Sequence, residues 1–343
     1  MRIGIDLGGT KTEIICLNAE NGKEIYRHRV PTPKDDYNAT IQNMARLVNM
    51  AMEITAAKNA TIGIGIPGTV ASDTGFVKNA NSVWLNGHPL DKDLEAALNM
   101  KVRAENDANC FALSEATDGA GAGSDSVFAV IIGTGCGAGM IIDGKPVSGI
   151  NGIGGEWGHN PLPWPMVYSP VQGESEEFFN RQATPEQVLN PVYAHKTHPE
   201  NFARELKFTE HPGPACYCGK RGCLETWISG TGFKNDHNRV TGETISTHDI
   251  IKRAEKGDAI AVASRQRYTS RLARGLAHVI NIFDPKVIVL GGGMSNVESL
   301  YEDVPKLWEP YIFSDTIFTK LKPPRHGDSS GVRGAAWLWN RES

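Results

Sequence analysis

The chain has 343 residues, 40% of them apolar and 22% charged, with a formal net charge of -4; this exceeds the usual size of one hydrophobic core, so two domains with a cleft between them are expected. That charge gives no electrostatic basis for binding nucleic acid or an anionic membrane, and six cysteines in so long a chain are too few for a disulfide scaffold. Apolar runs stay short of the roughly 18 residues a membrane span needs, and Met1-Arg2-Ile3 leads into a strand pattern without a leader's apolar core, so a cytoplasmic protein is expected.

In chain order, residues 3–7 are β-branched and strand-like and run into Gly8-Gly9-Thr10-Lys11. Such a turn is either a plain hairpin or a cradle whose backbone N–H groups meet anionic oxygens, with a hydroxyl and an ammonium beside it. Residues 40–55 carry apolar side chains at helical spacing, and 62–66 form a second strand. Asn106-Asp107-Ala108-Asn109 then precedes a helical run; Asp107 there is either a cap or a general base. The strand at 127–132 ends in Gly133-Thr134-Gly135-Cys136-Gly137, repeating the first strand and turn and suggesting a duplicated α/β fold. Two copies favour the phosphate cradle over the hairpin. A third glycine turn, Gly291-Gly292-Gly293, follows the strand at 287–290, at the strand end where open α/β sheets bind ligands. Three such turns suit a nucleotide.

Between the second and third turns lie Gly154-Gly155-Glu156-Trp157-Gly158-His159 and Cys216-Tyr217-Cys218-Gly219-Lys220-Arg221-Gly222-Cys223. One imidazole and three thiols, His159, Cys216, Cys218 and Cys223, make a complete tetrahedral set for structural zinc with no position left for catalysis. The remaining Cys16, Cys110 and Cys136 read as small packing residues. Tethering to one metal would bring Glu156 and Glu225 together, and two such acceptors suit vicinal hydroxyls. The proline-rich stretch 161–214 separates the two halves of the metal set and reads as a long functional or interface loop, with a short helix at 185–192. Residues 235–248 read as a connection into a helix at 249–256, and 259–282 as a long helix.

Together, Asp6-x-Gly-Gly-Thr10-Lys11, Asn106-Asp107, Gly133-Thr134-Gly135, Gly155-Glu156-x-Gly-His159, Cys216-x-Cys218-Gly219-x-x-Gly222-Cys223-x-Glu225 and Gly291-Gly292-Gly293 resemble the ROK family of sugar kinases and repressors. Longer strings, among them Lys78-Asn79-Ala80-Asn81-Ser82 and Gly158-His159-Asn160-Pro161-Leu162-Pro163-Trp164, are similar to its bacterial fructokinase (mannofructokinase) branch. The resemblance implies an actin-like ATPase (ribonuclease H-like) duplicated fold of two α/β domains, at 1–115 and 116–328, with a C-terminal helix at 329–343 packing back on the first. It implies ATP, Mg2+ and structural Zn2+, with transfer of the γ-phosphoryl to a hexose, D-fructose first and mannose, glucose or an N-acetylhexosamine as alternatives. By the same resemblance Asp107 is the base and Asp6 positions the magnesium through water. Gly8, Gly9, Thr10, Lys11, Gly133, Thr134 and Gly135 border the phosphates, and Gly291, Gly292 and Gly293 the adenosine. Asn106, Glu156, His159 and Glu225 hold the sugar, His159 serving the zinc as well. A homodimer is expected. Repressors of the family place a helix-turn-helix ahead of the first strand, whereas here the strand begins at Ile3, so a kinase is the expectation. One departure stands out: His159 and Cys216 lie 57 positions apart, more than the family's usual loop.

Overall fold

The structure is a computed structural model and describes residues 1–166, 210–327 and 330–339. β1 (Arg2–Leu7) buries Ile3, Ile5 and Leu7 and pairs antiparallel with β2 (Lys11–Leu17), which pairs antiparallel with β3 (Glu24–Pro31). On its other side β1 runs parallel to β4 (Thr61–Ile66), and β4 to β7 (Val102–Asn106), giving a sheet of order β3-β2-β1-β4-β7. Helices α1 (Tyr37–Ile54) and α2 (Leu90–Leu98) cover it through Met44, Leu47, Val48 and Leu94. A small hairpin of β5 (Thr69–Val70) and β6 (Val77–Lys78) lies between them in sequence.

The second sheet repeats this plan. β8 (Ser126–Ile132) and β9 (Cys136–Ile142) are antiparallel, β10 (Lys145–Pro146) extends the meander, and β11 (Val287–Gly291) and β12 (Lys320–Lys322) add in parallel, for an order of β10-β9-β8-β11-β12. Three antiparallel strands followed by two parallel ones, twice over, is the duplicated α/β architecture expected from the sequence. The glycine turns after β1 and β8 thus occupy equivalent places. Each is a tight hairpin, closed by Gly8 N–H donating to the Lys11 carbonyl and Gly133 N–H to the Gly135 carbonyl, both at 3.0 Å.

α3 (Asp107–Thr117) leaves β7 directly and packs on β8 and β9, so the boundary expected at 115/116 runs through a helix that touches the second sheet. Beside it lies α9 (Ser330–Trp337), which packs on α3, β1 and β4. The backbones approach so closely that a Cβ on Gly63 would sit 1.9 Å from the Ala335 carbonyl oxygen, and one on Gly334 1.6 Å from that of Cys110. Glycine is required at both positions by space alone.

Helices α4 (Glu225–Ile228), α5 (Gly230–Thr241), α6 (Thr247–Glu255), α7 (Ala259–Phe283) and α8 (Leu300–Trp308) build the rest of the second layer. The expected connection at 235–248 is corrected by α5, which Ser229 caps through the Gly232 N–H and which buries Phe233, Asp236 and His237; only the few residues between Thr241 and Thr247 connect. Of the stretch 161–214, only its two ends are described, and the helix expected at 185–192 lies outside the described residues. The ends meet: Glu210 N–H donates to the Met166 carbonyl at 2.8 Å, and Met166 N–H to Glu210 Oε2 at 2.8 Å. α7 clamps that junction from below. Arg271 and Arg274, both fully buried, each place a nitrogen 2.8 Å from Glu210 Oε1. Arg271 also pairs with Asp236 on α5 at 2.9 Å, and Arg274 donates to the Pro163 and Trp164 carbonyls.

Candidate active site and metal centre

The strand-to-helix junction β7–α3 fixes the catalytic candidates. Asn106 caps α3, its side-chain oxygen accepting from the Ala108 and Asn109 N–H groups at 2.9 and 3.3 Å while its Nδ2 donates to the Gly68 carbonyl. Asp107, the first helical residue, accepts from the Ala108 N–H at 2.7 Å and opens into a cavity of about 290 Å³. Solvent reaches it through the cleft mouth, yet protein atoms ring the carboxyl. Burial first, and the Glu156 charge second, push its pKa above the ordinary carboxylate value, against the pull of the Ala108 N–H. A raised carboxylate pKa brings proton affinity closer to what a general base needs near neutral pH.

Asn106, Glu156, His159 and Glu225 all line the same cavity, with Thr134 and Gly135. Glu225, at the start of α4, is held by the Cys136 N–H, which donates to its Oε2 at 3.0 Å. A second cavity of about 590 Å³ shares Asn81, Thr134, Gly135, Tyr217 and Glu225 with the first. Its floor is the N-terminal turn of α5, where Ser229, Thr231, Gly232 and Asn235 line it and Gly230 N–H donates to the Gly133 carbonyl. A helix N-terminus beside a glycine turn suits an anion. Sequence reasoning missed this turn, although Ser229-Gly230-Thr231-Gly232 carries a legible N-cap. It also missed Asn81 and Tyr217.

Asp6, next to last in β1, lies near enough to Asp107 to feel its charge. Burial, then the charges of Asp107 and Glu13, push its pKa up to about 7, with Arg29 opposing. A proton or a cation would relieve the repulsion between the two carboxylates, and an all-oxygen donor pair fits magnesium. Gly8, Gly9, Thr10 and Lys11 lie on the hairpin beyond Asp6 and line neither cavity; nor do Gly291, Gly292 and Gly293. Thr32 braces the hairpin, its hydroxyl donating to the Gly8 carbonyl at 2.7 Å and its N–H to that of Thr10. Gly292, at φ 74°, is wedged against the end of β8, where a Cβ would sit 2.5 Å from the Ile132 carbonyl oxygen, so the third turn adjoins the second.

The metal set is assembled. The ligand atoms of His159, Cys216, Cys218 and Cys223 all lie within 4.8 Å of one another. His159 Nδ1 is 3.6 Å from Cys216 Sγ, and Cys218 Sγ is 3.6 Å from Cys223 Sγ. Tetrahedral zinc with ordinary bond lengths demands about 3.6 Å for nitrogen to sulfur and about 3.8 Å for sulfur to sulfur. These two spacings match a tetrahedral zinc set, and the remaining donor pairs lie within 4.8 Å. Sequence distance between His159 and Cys216 is absorbed by the paired ends of the inserted stretch, which return the chain to the same place.

The ROK family model matches residues 2–342. The chain belongs to the ROK family. An N-acetyl-D-glucosamine kinase of Pasteurella multocida (strain Pm70) is 38% identical over 339 residues, covering 99% of each chain. Among solved structures, the ROK hexokinase of Thermus thermophilus superposes with a TM-score of 0.75 at 27% identity, covering 98% of this chain and 96% of that one. A ROK glucokinase of Streptomyces griseus, solved with glucose and AMPPNP, gives 0.67 at 25%, covering 98% of each. The ROK architecture, an actin-like ATPase fold, is the one the two repeated sheets display.

Proposed function

We propose that this chain, an ATP-dependent sugar kinase of the ROK family, phosphorylates an N-acetylhexosamine, with N-acetyl-D-glucosamine the acceptor, in the cytoplasm. The observation that carries the reading is Asp107: a carboxylate of raised proton affinity on the wall of a polar cavity that also holds Asn106, Glu156, His159 and Glu225. Phosphoryl transfer asks little covalent work of the protein beyond positioning and one acceptor for the hydroxyl proton. Asp107 takes that proton as the hydroxyl attacks. Asn106, Glu156 and Glu225 hold the other hydroxyls, with His159 in the same cavity wall. The nucleotide takes the larger cavity, its phosphates against Thr134, Gly135 and the N-terminus of α5; the hairpin Gly8–Lys11 and the turn Gly291–Gly293 line neither cavity and are assigned to the nucleotide by the family resemblance alone. Magnesium supplies charge neutralisation on the phosphates when bound, and Asp6 would hold it through water. Zinc in the His159, Cys216, Cys218 and Cys223 set would hold the Glu156 and Glu225 segments in register.

The acetamido acceptor is supported by the Pasteurella relative, alike over nearly its whole length, and displaces the fructose expected from short strings alone. The exposed Phe313 and Phe318 support the expected homodimer, which light scattering tests. Initial rates with ATP across N-acetylglucosamine, N-acetylmannosamine, glucose, mannose and fructose test the acceptor; fructose giving the highest kcat/KM would reverse the assignment. Asp107→Asn should lower kcat by about 10²- to 10⁴-fold and leave ATP binding intact.

A further inference from the structure

Tyr217 is the one residue between two metal ligands, Cys216 and Cys218, and it lines both cavities. Its side chain is not core: the residue is 78% exposed, an unusual state for an aromatic at the centre of a cleft. It is nonetheless held in place. Its hydroxyl stands 2.9 Å from His159 Nε2, and its ring meets the imidazole edge-on at 5.1 Å between centroids and 88° between planes. His159 has two ring nitrogens, and the other, Nδ1, faces the metal set, so the imidazole is fixed at both ends. Backbone between Cys216 and Cys218 and a hydroxyl contact with His159 hold the phenol ring at the cavity wall, with most of the residue exposed.

A bare aromatic face beside hydroxyl-binding carboxylates is the complement of a pyranose, whose ring C–H bonds form an apolar face between polar edges. We propose that Tyr217 is an acceptor-binding residue, the wall against which the sugar ring rests, and that its His159 bond makes the zinc loop part of the acceptor site. This rests on placing the sugar in the smaller cavity.

The test is calorimetric binding of N-acetylglucosamine, glucose and fructose to the zinc-loaded protein without nucleotide, with zinc measured on each sample. For whichever sugar binds the wild-type protein most tightly, Tyr217→Ala should weaken Kd by about 5- to 10-fold, an aromatic contact's share. Tyr217→Phe keeps the ring and loses only its anchor, so roughly 2- to 3-fold is expected. Zinc should stay at one per chain in both, and KM for ATP should move less than twofold. Unchanged sugar affinity in Tyr217→Ala with zinc retained overturns the proposal. Should that variant lose zinc, Tyr217→Leu decides, since it removes the ring and keeps the bulk: affinity equal to wild type with zinc retained counts against it. Glu225→Gln, run beside them, separates the two layers. Loss of sugar binding there but not in Tyr217→Ala places the sugar in the cavity yet away from the ring, whereas no loss in either removes the cavity assignment itself.

Discussion

Glu210 is where the inserted stretch returns to the fold, and removing its carboxylate should be among the costliest single changes in the chain. Its Oε1 accepts from both Arg271 and Arg274 at 2.8 Å, its Oε2 from the Met166 N–H, and all three side chains are fully buried. In Glu210→Ala, Arg271 keeps Asp236 at 2.9 Å and the face of Trp227 at 4.3 Å, but Arg274 keeps, among the described residues, the Pro163 and Trp164 carbonyls and loses the Glu210 counter-charge. Breaking a buried pair by removing one partner costs about 3–5 kcal/mol, mostly from the charge left behind. At about 2 °C per kcal/mol for a chain of this size, Tm should fall by roughly 6–10 °C. Replacing both partners, Glu210→Met with Arg274→Met, should cost less than Glu210→Ala alone, because no uncompensated charge remains. Urea unfolding of wild type, both single variants and the pair supplies the cycle. A loss below about 1 kcal/mol in Glu210→Ala, or strict additivity in the pair, would falsify the view that this clamp is a charge-compensated unit. The same carboxylate predicts the acid limit. Arg274 and Arg271 outweigh burial and hold the Glu210 pKa below its ordinary value, and three arginines do the same for Asp236. A depressed folded pKa gives stability that is complete above the unfolded value near pH 4 and drains away as pH falls toward the folded one.

Three further outcomes follow from the site. Purified protein should carry one zinc per chain, and Cys223→Ser should lose it together with several degrees of Tm; metal-free protein with unchanged melting would remove the scaffold role. The acid limb of kcat should lie above the ordinary carboxylate range, since the Asp107 pKa is raised, and should vanish in Asp107→Asn; a limb near pH 4 in the wild type argues against Asp107 as the base. Glu105 accepts from Asn106 N–H, Asn109 Nδ2 and Ser148 Oγ at 2.9, 3.0 and 2.9 Å, joining the base to the loop that carries Glu156. Glu105→Ala should therefore raise acceptor KM about 10-fold, with ATP KM steady, and Glu105→Gln should recover much of it.

Much of the frame was legible because it is written in local pattern. β1, β4, β8 and β11 are β-branched runs bounded by glycine, and α7 repeats apolar residues at helical spacing. Asn106 and Asp107 were readable because capping chemistry and catalytic chemistry call for the same short polar side chains. α5 was not, since Asn235, Asp236, His237, Asn238 and Arg239 look like a solvated connection; Asp236 and His237 are buried there because their partners come largely from α7 and from Glu243 in the turn after α5. Polarity in a sequence does not reveal a distant counter-charge. The Glu210 clamp was hidden for the same reason, its arginines lying 61 and 64 positions away. Tyr217 looked like filler between cysteines, and only its distance to His159 gives it a role.

The glycine contacts of α9 have a consequence for how the molecule is made. Val332 and Ala336 sit against Gly4, and Ala335 against Gly63, so a helix synthesised after the second sheet completes the layer on strands made before it. β1 and β4 can pair early, but the face that α9 covers stays open until α9 itself has been made. During translation the first lobe is thus an open sheet waiting for its cover, and a nascent chain stalled before Ser330 is expected to stay protease-sensitive from its N-terminus, whatever the state of the second lobe.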